Sequence, residues 1–279
     1  MRRAQIRPLK TVKEFCACER IQEQVWGNVG VSGELLSVTQ KYGGAVLGSI
    51  VNGRVVGFIY AFLARRKGRL IHWSHLMAVE PKFRDLGLGF RMKLAHRENA
   101  LAAGISAICW TYDPLQSRNA ALNIARLGGR AEDFVPNCYG RFPSAIERGL
   151  ESDRFVVNWR ISSTRVARRL EGFRPEGRAL KSLLRSDCAN ETRTNSAGFP
   201  ENRRLHLDLN RPTLLFEIPK ETDRMRAEAL DLARRWRLES RKVFAHYFEL
   251  GYRVEDFVPP GLPSNGRCFY VLRRSATPA

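Results

Sequence analysis

Apolar and polar positions fall into short blocks along the first 161 residues, and each block has one period. Val12 to Trp26 has helical spacing, with Val12, Phe15, Ile21 and Val25 sharing one side. Ala45 to Val51 and Arg54 to Leu63 are apolar strands joined by Asn52-Gly53, a strong short hairpin signal. A third strand is predicted over Ile71 to Val79. Gly87 to Ala103 reads as a helix stopped by Gly104, and Ile105 to Tyr112 as a buried strand. A second helix spans Ser117 to Leu127 before Gly128-Gly129, and extended segments follow over Arg130 to Pro136 and Arg154 to Ile161.

Between the third strand and the helix after it the chain reads Leu76 to Gly89, LMAVEPKFRDLGLG. A helix start carries unpartnered N–H groups and the positive end of the macrodipole, so an anion is stabilised there without side-chain charge. Gly87 and Gly89 have no β-carbon to block such an approach, and Arg84 adds a full charge nearby. The spacing is neither GxGxxG nor a Gly-Lys-Ser/Thr loop, so the two commonest nucleotide readings fail.

This stretch resembles the acyl-coenzyme A motif of the GNAT N-acetyltransferase superfamily, (Arg/Gln)-x-x-Gly-x-(Gly/Ala) after a Leu-x-Val strand, with Arg84, Gly87 and Gly89 filling it. The element order from the amino end to residue 161 is similar to that family's as well. Trp110 to Leu115, Arg118-Asn119-Ala120, Tyr139-Gly140 and Ser152 to Phe155 resemble one bacterial subfamily with an appended carboxyl-terminal half. The resemblance implies an α/β (α+β) GNAT fold around a mixed, mostly antiparallel sheet. It also implies an N-acyltransferase of type EC 2.3.1 that uses acetyl-CoA or another short acyl-CoA such as succinyl-CoA. In that family the pantetheine arm lies between two splayed strands, which places Met77 and Val79 beside it. Arg84, Leu86, Gly87, Leu88, Gly89 and Phe90 would hold the pyrophosphate, and Asn119 would reach the coenzyme. Many members use a tyrosine four residues before the glycine that ends the second helix; here that position is Ile124.

Acyl transfer to an amine needs a base for the amine proton and an acid for the departing thiolate. His72, Ser74 and His75 precede the cradle, and Tyr112 and Asp113 follow it. His75 is the first choice of base, because imidazole titrates near working pH and the residue lies just ahead of the pantetheine contacts. Strand alternation puts His72 on the opposite face. Asp113 either orients the base or binds the acceptor's ammonium, or else Asp113, Pro114 and Gln116 take the N-cap, N1 and N3 positions of the next helix. Tyr112, Tyr139 and Cys109 are further candidates for the acid.

Leu183 to Arg204 is polar and reads as an exposed loop or linker. Beyond it Leu205 to Leu209, Leu214 to Ile218, Tyr252 to Val258 and Cys268 to Leu272 are strand-like, and Asp223 to Leu250 is one long Arg-rich helix. Gly128 to Pro136, GGRAEDFVP, is echoed by Gly251 to Pro259, GYRVEDFVP, and Tyr247 precedes the second copy where Ile124 precedes the first. The expected domains are 1–161, acyl-CoA-binding; 162–204, a connecting helix and polar linker; and 205–279, a partial degenerate GNAT-like copy. The copy lacks a glycine cradle because Leu214 to Pro219 runs into Lys220-Glu221-Thr222-Asp223.

The chain has 279 residues and a net charge of +19, carried mainly by arginine. The arginines are scattered and mixed with acids, with no aromatic-plus-basic stripe, which argues against a nucleic-acid partner. The six cysteines include no CxxC pair, so free thiols and no metal are expected. No apolar run spans a bilayer and no signal-peptide pattern opens the chain, so a cytoplasmic monomer or homodimer without membrane attachment is expected. The acceptor expected is a small amine, plausibly an amino acid. A non-catalytic acyl-CoA-binding protein and an acyltransferase for a protein or RNA-linked partner are the alternatives.

Overall fold

The computed structural model describes residues 4–140, 150–174, 176–261 and 264–274, which form two compact units. The first runs to Trp110 and takes in Arg160–Ser162; the second holds the rest.

The first unit is a sheet of β1 (Gln5–Pro8), β2 (Ala45–Val51), β3 (Arg54–Arg66), β4 (Arg69–Val79) and the start of β5 (Ile108–Tyr112), in that spatial order. The first three pairings are antiparallel, and β4 with β5 is parallel. Asn52-Gly53 turns the first hairpin with both residues at positive φ, 49° and 75°, as a type I′ turn requires. Lys67-Gly68 does the same, with φ of 48° and 75°, and carries β3 three residues beyond its expected end.

On one side of the sheet lie α1 (Val12–Trp26) and α2 (Gly33–Lys41), which bury Phe15, Ile21 and Leu36 with Val46, Phe58 and Tyr60. Helix α1 has the predicted bounds. Thr11 and Glu14 close a reciprocal capping box at its start, a device that contributes about 1 kcal/mol. Val12, expected on the buried side, is 76% exposed because it precedes the first turn that reaches the sheet. Helix α2 has no counterpart in the apolar pattern, since Leu35 and Val38 face solvent and only Leu36 reaches the core. Helix α3 (Leu88–Ala102) lies across β2, β3 and β4, with Leu88 packed on Ala4 and Val56.

The second unit begins within β5 and continues with α4 (Ser117–Ala120), whose helix runs on as a π-helical turn to Arg126. Then come β6 (Arg130–Val135), β7 (Arg154–Trp159), α5 (Thr164–Leu170), α6 (Gly177–Leu183), β8 (Asn190–Thr194), β9 (Pro200–Leu205) and β10 (Thr213–Ile218). Helices α7 (Thr222–Glu228) and α8 (Leu230–Glu249) and strands β11 (Tyr252–Val258) and β12 (Cys268–Arg274) complete it. The spatial order is β7-β6-β11-β12-β10, and Phe155 centres its core among Tyr112, Phe134, Phe244, Phe248 and Tyr270.

Two expectations fail here. The polar stretch expected as a linker contains the β8–β9 hairpin, invisible to a hydrophobic pattern because polar side chains hold it. Asn190 Nδ2 donates to Asn202 Oδ1 (2.7 Å) and to Glu217 O (3.1 Å), and its Oδ1 accepts from Glu217 N (2.9 Å). The single long helix is broken at Ala229, with φ −147° and ψ 62°, among residues of high helix propensity. Tertiary contact overrides propensity there, since Arg226 and Arg237, one on each side of the break, meet on the same carboxylate.

The echoed segments form equivalent strands. β6 pairs β7 and β11 pairs β12 in the same register, both antiparallel, and each skips one residue at the same place, Glu132 and Glu255. The two strands meet antiparallel through Ala131 and Val254, which occupy the same position in the two copies. The order strand, helix, strand, strand is common to β5-α4-β6-β7 and β10-α7/α8-β11-β12. β10 thus stands in the place of β5, and the strand that precedes the glycine cradle has no counterpart in the copy.

Candidate functional site

The cradle is built in the first unit. After β4 a 3-10 turn over Pro81–Phe83 leads to Asp85 at φ 64° and Gly87 at φ 72°. Gly87 is the N-cap of α3, no side chain caps the helix, and no acid lies in its first turn. The helix's first backbone bond runs from Arg91 N to Gly87 O (3.1 Å), so the amides of Leu88 and Gly89 point out of its end. A Cβ on Gly87 would meet nothing within 4 Å, so the space before these amides is open, and one on Gly89 would touch Met77 Cε at 3.6 Å. Arg84 folds back to donate from Nε to Val79 O at 3.3 Å, and Leu86 is 52% exposed. These features fit a diphosphate.

Met77 and Val79 pair with Ile59 and Gly57 on β3. On its other edge β4 pairs with β5 through His72↔Ile108 and Trp73↔Cys109, with no further pair among the described residues. The partners step from Tyr60↔Leu76 to Ala61↔Ser74, which leaves His75 as the extra residue of a bulge. Its ring reaches the surface beside Tyr60 and Phe62, at centroid distances of 6.1 and 6.0 Å, and desolvation lowers its pKa below the usual imidazole value.

His72 lies on the opposite face, buried against α3. Its Nε2 is 3.2 Å from the carbonyl oxygen of Gly43, so that nitrogen carries the proton, and Nδ1 then accepts from His96 Nε2–H at 3.1 Å. His96 Nδ1 is left buried with no partner. Burial lowers both pKa values, and the charges of Lys93 and His72 lower that of His96 further. The unfolded chain therefore takes up protons near pH 6.5 that the folded chain refuses. Stability is expected to fall as pH drops below 6.5, each group adding a slope of about 1.4 kcal/mol per pH unit. Urea unfolding between pH 7.5 and 5.5 checks this, and His96→Gln should flatten the slope; an unchanged slope would contradict the assignment.

Asp113, Asn119, Ile124 and Tyr112 belong to the second unit. Asn119 is exposed on α4, and Ile124 is fully buried. The N-cap reading of Asp113 does not hold: α4 starts at Ser117, and Asp113 Oδ1 instead accepts from Leu115 N at 2.9 Å in a tight turn. The other oxygen accepts from Arg226 and from Arg237 (2.6 Å). Burial alone would raise this carboxyl's pKa, but the charges and hydrogen bonds of Arg237 and then Arg226 hold it at about 2. A carboxylate so engaged does not exchange protons at neutral pH. Tyr112 donates to Tyr270 Oη (3.2 Å), which donates to Pro114 O (2.7 Å), and burial raises both pKa values. Tyr139 Oη pairs with Thr111 Oγ1 at 2.8 Å, and Tyr247 is committed to His206 O at 2.7 Å.

Sequence reading missed Lys93 and His96 altogether. Lys93 is 2% exposed, its Nζ donates to Ser74 Oγ at 3.1 Å and lies 3.7 Å from the Trp110 ring centroid. Burial lowers its pKa to about 7. The available signal was their spacing with Leu88, Met92 and Ala100, which puts both on the buried face of α3.

Among the described residues no cluster of His, Cys, Asp and Glu could hold a metal ion, and no helix is long and apolar enough to cross a membrane. No protein-family model matches the chain, and no curated protein matches it. Among solved structures it is similar to an acetyltransferase of the GNAT family from Streptococcus pneumoniae, at 16% identity over 56% of this chain and 98% of that one (TM-score 0.46). It is also similar to the ribosomal-protein-S18-alanine N-acetyltransferase of Escherichia coli, at 16% identity over 58% and 96% (TM-score 0.47). A third is a putative acetyltransferase from Salmonella typhimurium, solved with its cofactor acetyl-CoA, at 18% identity over 58% and 95% (TM-score 0.47).

Proposed function

We propose that this chain is an acyl-CoA-dependent N-acyltransferase of the GNAT type, transferring acetyl or a short acyl group such as succinyl to a small amine such as an amino acid. The observation that carries the reading is the cradle: a positive-φ glycine caps a helix without side chain or acid, directly after a strand whose outer pairing has ended. In this reading residues 1–161 supply the acyl-CoA-binding fold, 162–204 connect, and 205–279 are a partial repeat. The amides of Leu88 and Gly89, with Gly87, Phe90, Leu86 and Arg84 around them, hold the diphosphate, and Met77 and Val79 border the pantetheine arm. The bound thioester supplies an activated acyl carbon.

His75 is the base. Its lowered pKa keeps the imidazole neutral at pH 7, able to take the proton of the incoming ammonium. Asp113, spent on two arginines, acts by holding the second unit together rather than on the amine. Mixing the protein with acetyl- or succinyl-CoA and a panel of amino acids should release free thiol only when an acceptor is present. Binding of acyl-CoA without thiol release from any amine would make the protein a non-catalytic binder instead.

A further inference from the structure

With Ile124 where many GNAT enzymes place a tyrosine acid, the departing thiolate needs another proton source. The first unit contains one candidate at a telling position. Ser74 and Trp110 are the residues immediately after the last paired positions of β4 and β5, Trp73 and Cys109, so they flank the point where the two strands part. Both touch the same side chain, that of Lys93 on α3.

Lys93 is an expensive residue to keep there. Its amine is almost fully buried, and among the described residues no carboxylate pairs with it; Ser74 Oγ and the Trp110 ring are its contacts. The other titratable groups around it are His96 on its own helix and His72 on β4, both held neutral, while β1, β2 and β3 contribute only Ser49 as a buried polar residue. A lysine of purely structural use would be better replaced by methionine, which fills similar space without desolvating a charge. Because Lys93 donates to Ser74 Oγ, the Ser74 O–H is left to donate elsewhere.

Resting on the acyltransferase reading above, we propose that Ser74 and Lys93 form the acid of the reaction. Ser74 Oγ–H protonates the departing thiolate, and the Lys93 ammonium returns a proton to Ser74. The amine nitrogen forms the new C–N bond as the C–S bond breaks. The ammonium's first proton passes through His75 to solvent before attack, the second goes to His75 as the C–N bond forms, and the sulfur's proton comes from Ser74; Lys93 and His75 then reset with solvent, for a net release of one proton. An ammonium whose pKa burial brings down to about 7 suits this transfer, since near neutrality it can both hold a proton and give it up.

Lys93→Met and Ser74→Ala are the tests, with three readouts. Lysine side-chain NMR of the wild type should show one ammonium titrating near pH 7, missing in Lys93→Met, and that variant should melt at a higher temperature at pH 7. Calorimetry should show both variants binding acetyl-CoA within about twofold of the wild type, while kcat falls roughly 10²-fold. The alkaline limb of the kcat profile, where the wild type loses its protonated acid, should disappear in Lys93→Met. A Lys93→Met enzyme that keeps its kcat and its alkaline limb would overturn the proposal, as would a stable mass increase on Lys93 with acyl-CoA alone, which would make it an acceptor. Failure of the wild type to bind acyl-CoA at all would instead overturn the acyltransferase reading, whatever Lys93 does.

Discussion

The His75→Ala enzyme is expected to turn over roughly 10²- to 10⁴-fold more slowly than the wild type, with its affinity for acyl-CoA unchanged. The split follows from position. His75 is the bulged residue of β4 and its ring lies beside Tyr60 and Phe62 on the α1/α2 side, whereas the cradle is the first turn of α3. The pH dependence fixes the sign. A base works unprotonated, so the acid limb of kcat should fall as pH drops through a pKa below 6.5, the value of a free imidazole, and that limb is the one His75→Ala should lose. His75→Gln keeps the side chain's bulk and polarity and should be equally slow, separating proton transfer from packing. A loss of less than tenfold in both variants would remove His75 from the mechanism.

The second large effect is on stability. Asp113→Ala is expected to cost about 3–5 kcal/mol, because it strips the shared carboxylate from two guanidinium groups whose side chains are only 5% and 3% exposed. The nearest alternative acid for Arg226, Asp223, lies 3.8 Å away and is 81% exposed, too solvated to replace it. Arg237 Nε and Nη1 are already buried without a partner, and the other carboxylate whose charge reaches it, Asp153, is engaged by Arg241. Urea unfolding followed by fluorescence measures the loss, and Asp113→Asn should recover only part of it. A cost below 1 kcal/mol would mean that water reaches these arginines and that the pair is ornamental to folding.

How far the sequence carried depends on whether a feature is written in neighbouring residues. Asn52-Gly53 names its own turn, and Arg84 to Gly89 spells out its strand-to-helix junction, so both were legible down to the residue. The echo between Gly128 and Gly251 was legible too, although only the strand register shows that the repeated part begins at a β5 equivalent, and so why it has no cradle. Relations between distant residues were not. Arg226 and Arg237 lie more than a hundred positions from Asp113, and their helices look like solvated Arg-rich surface. Lys93 and His96 look like the polar face of α3 and are its buried face. His75 was chosen for its chemistry, but the bulge that gives it its place appears only once β3 and β4 are paired.

The account rests on the helix end at Gly87 holding a diphosphate, and isothermal calorimetry with acetyl-CoA and succinyl-CoA tests that most directly. One acyl-CoA per chain should bind with measurable heat, and Gly87→Val should weaken binding at least tenfold while the protein stays folded. That side chain would enter the open space before the amides and would force a β-branched residue to φ 72°. An absence of heat with either thioester, or a Gly87→Val protein that binds as tightly as the wild type, would contradict the account.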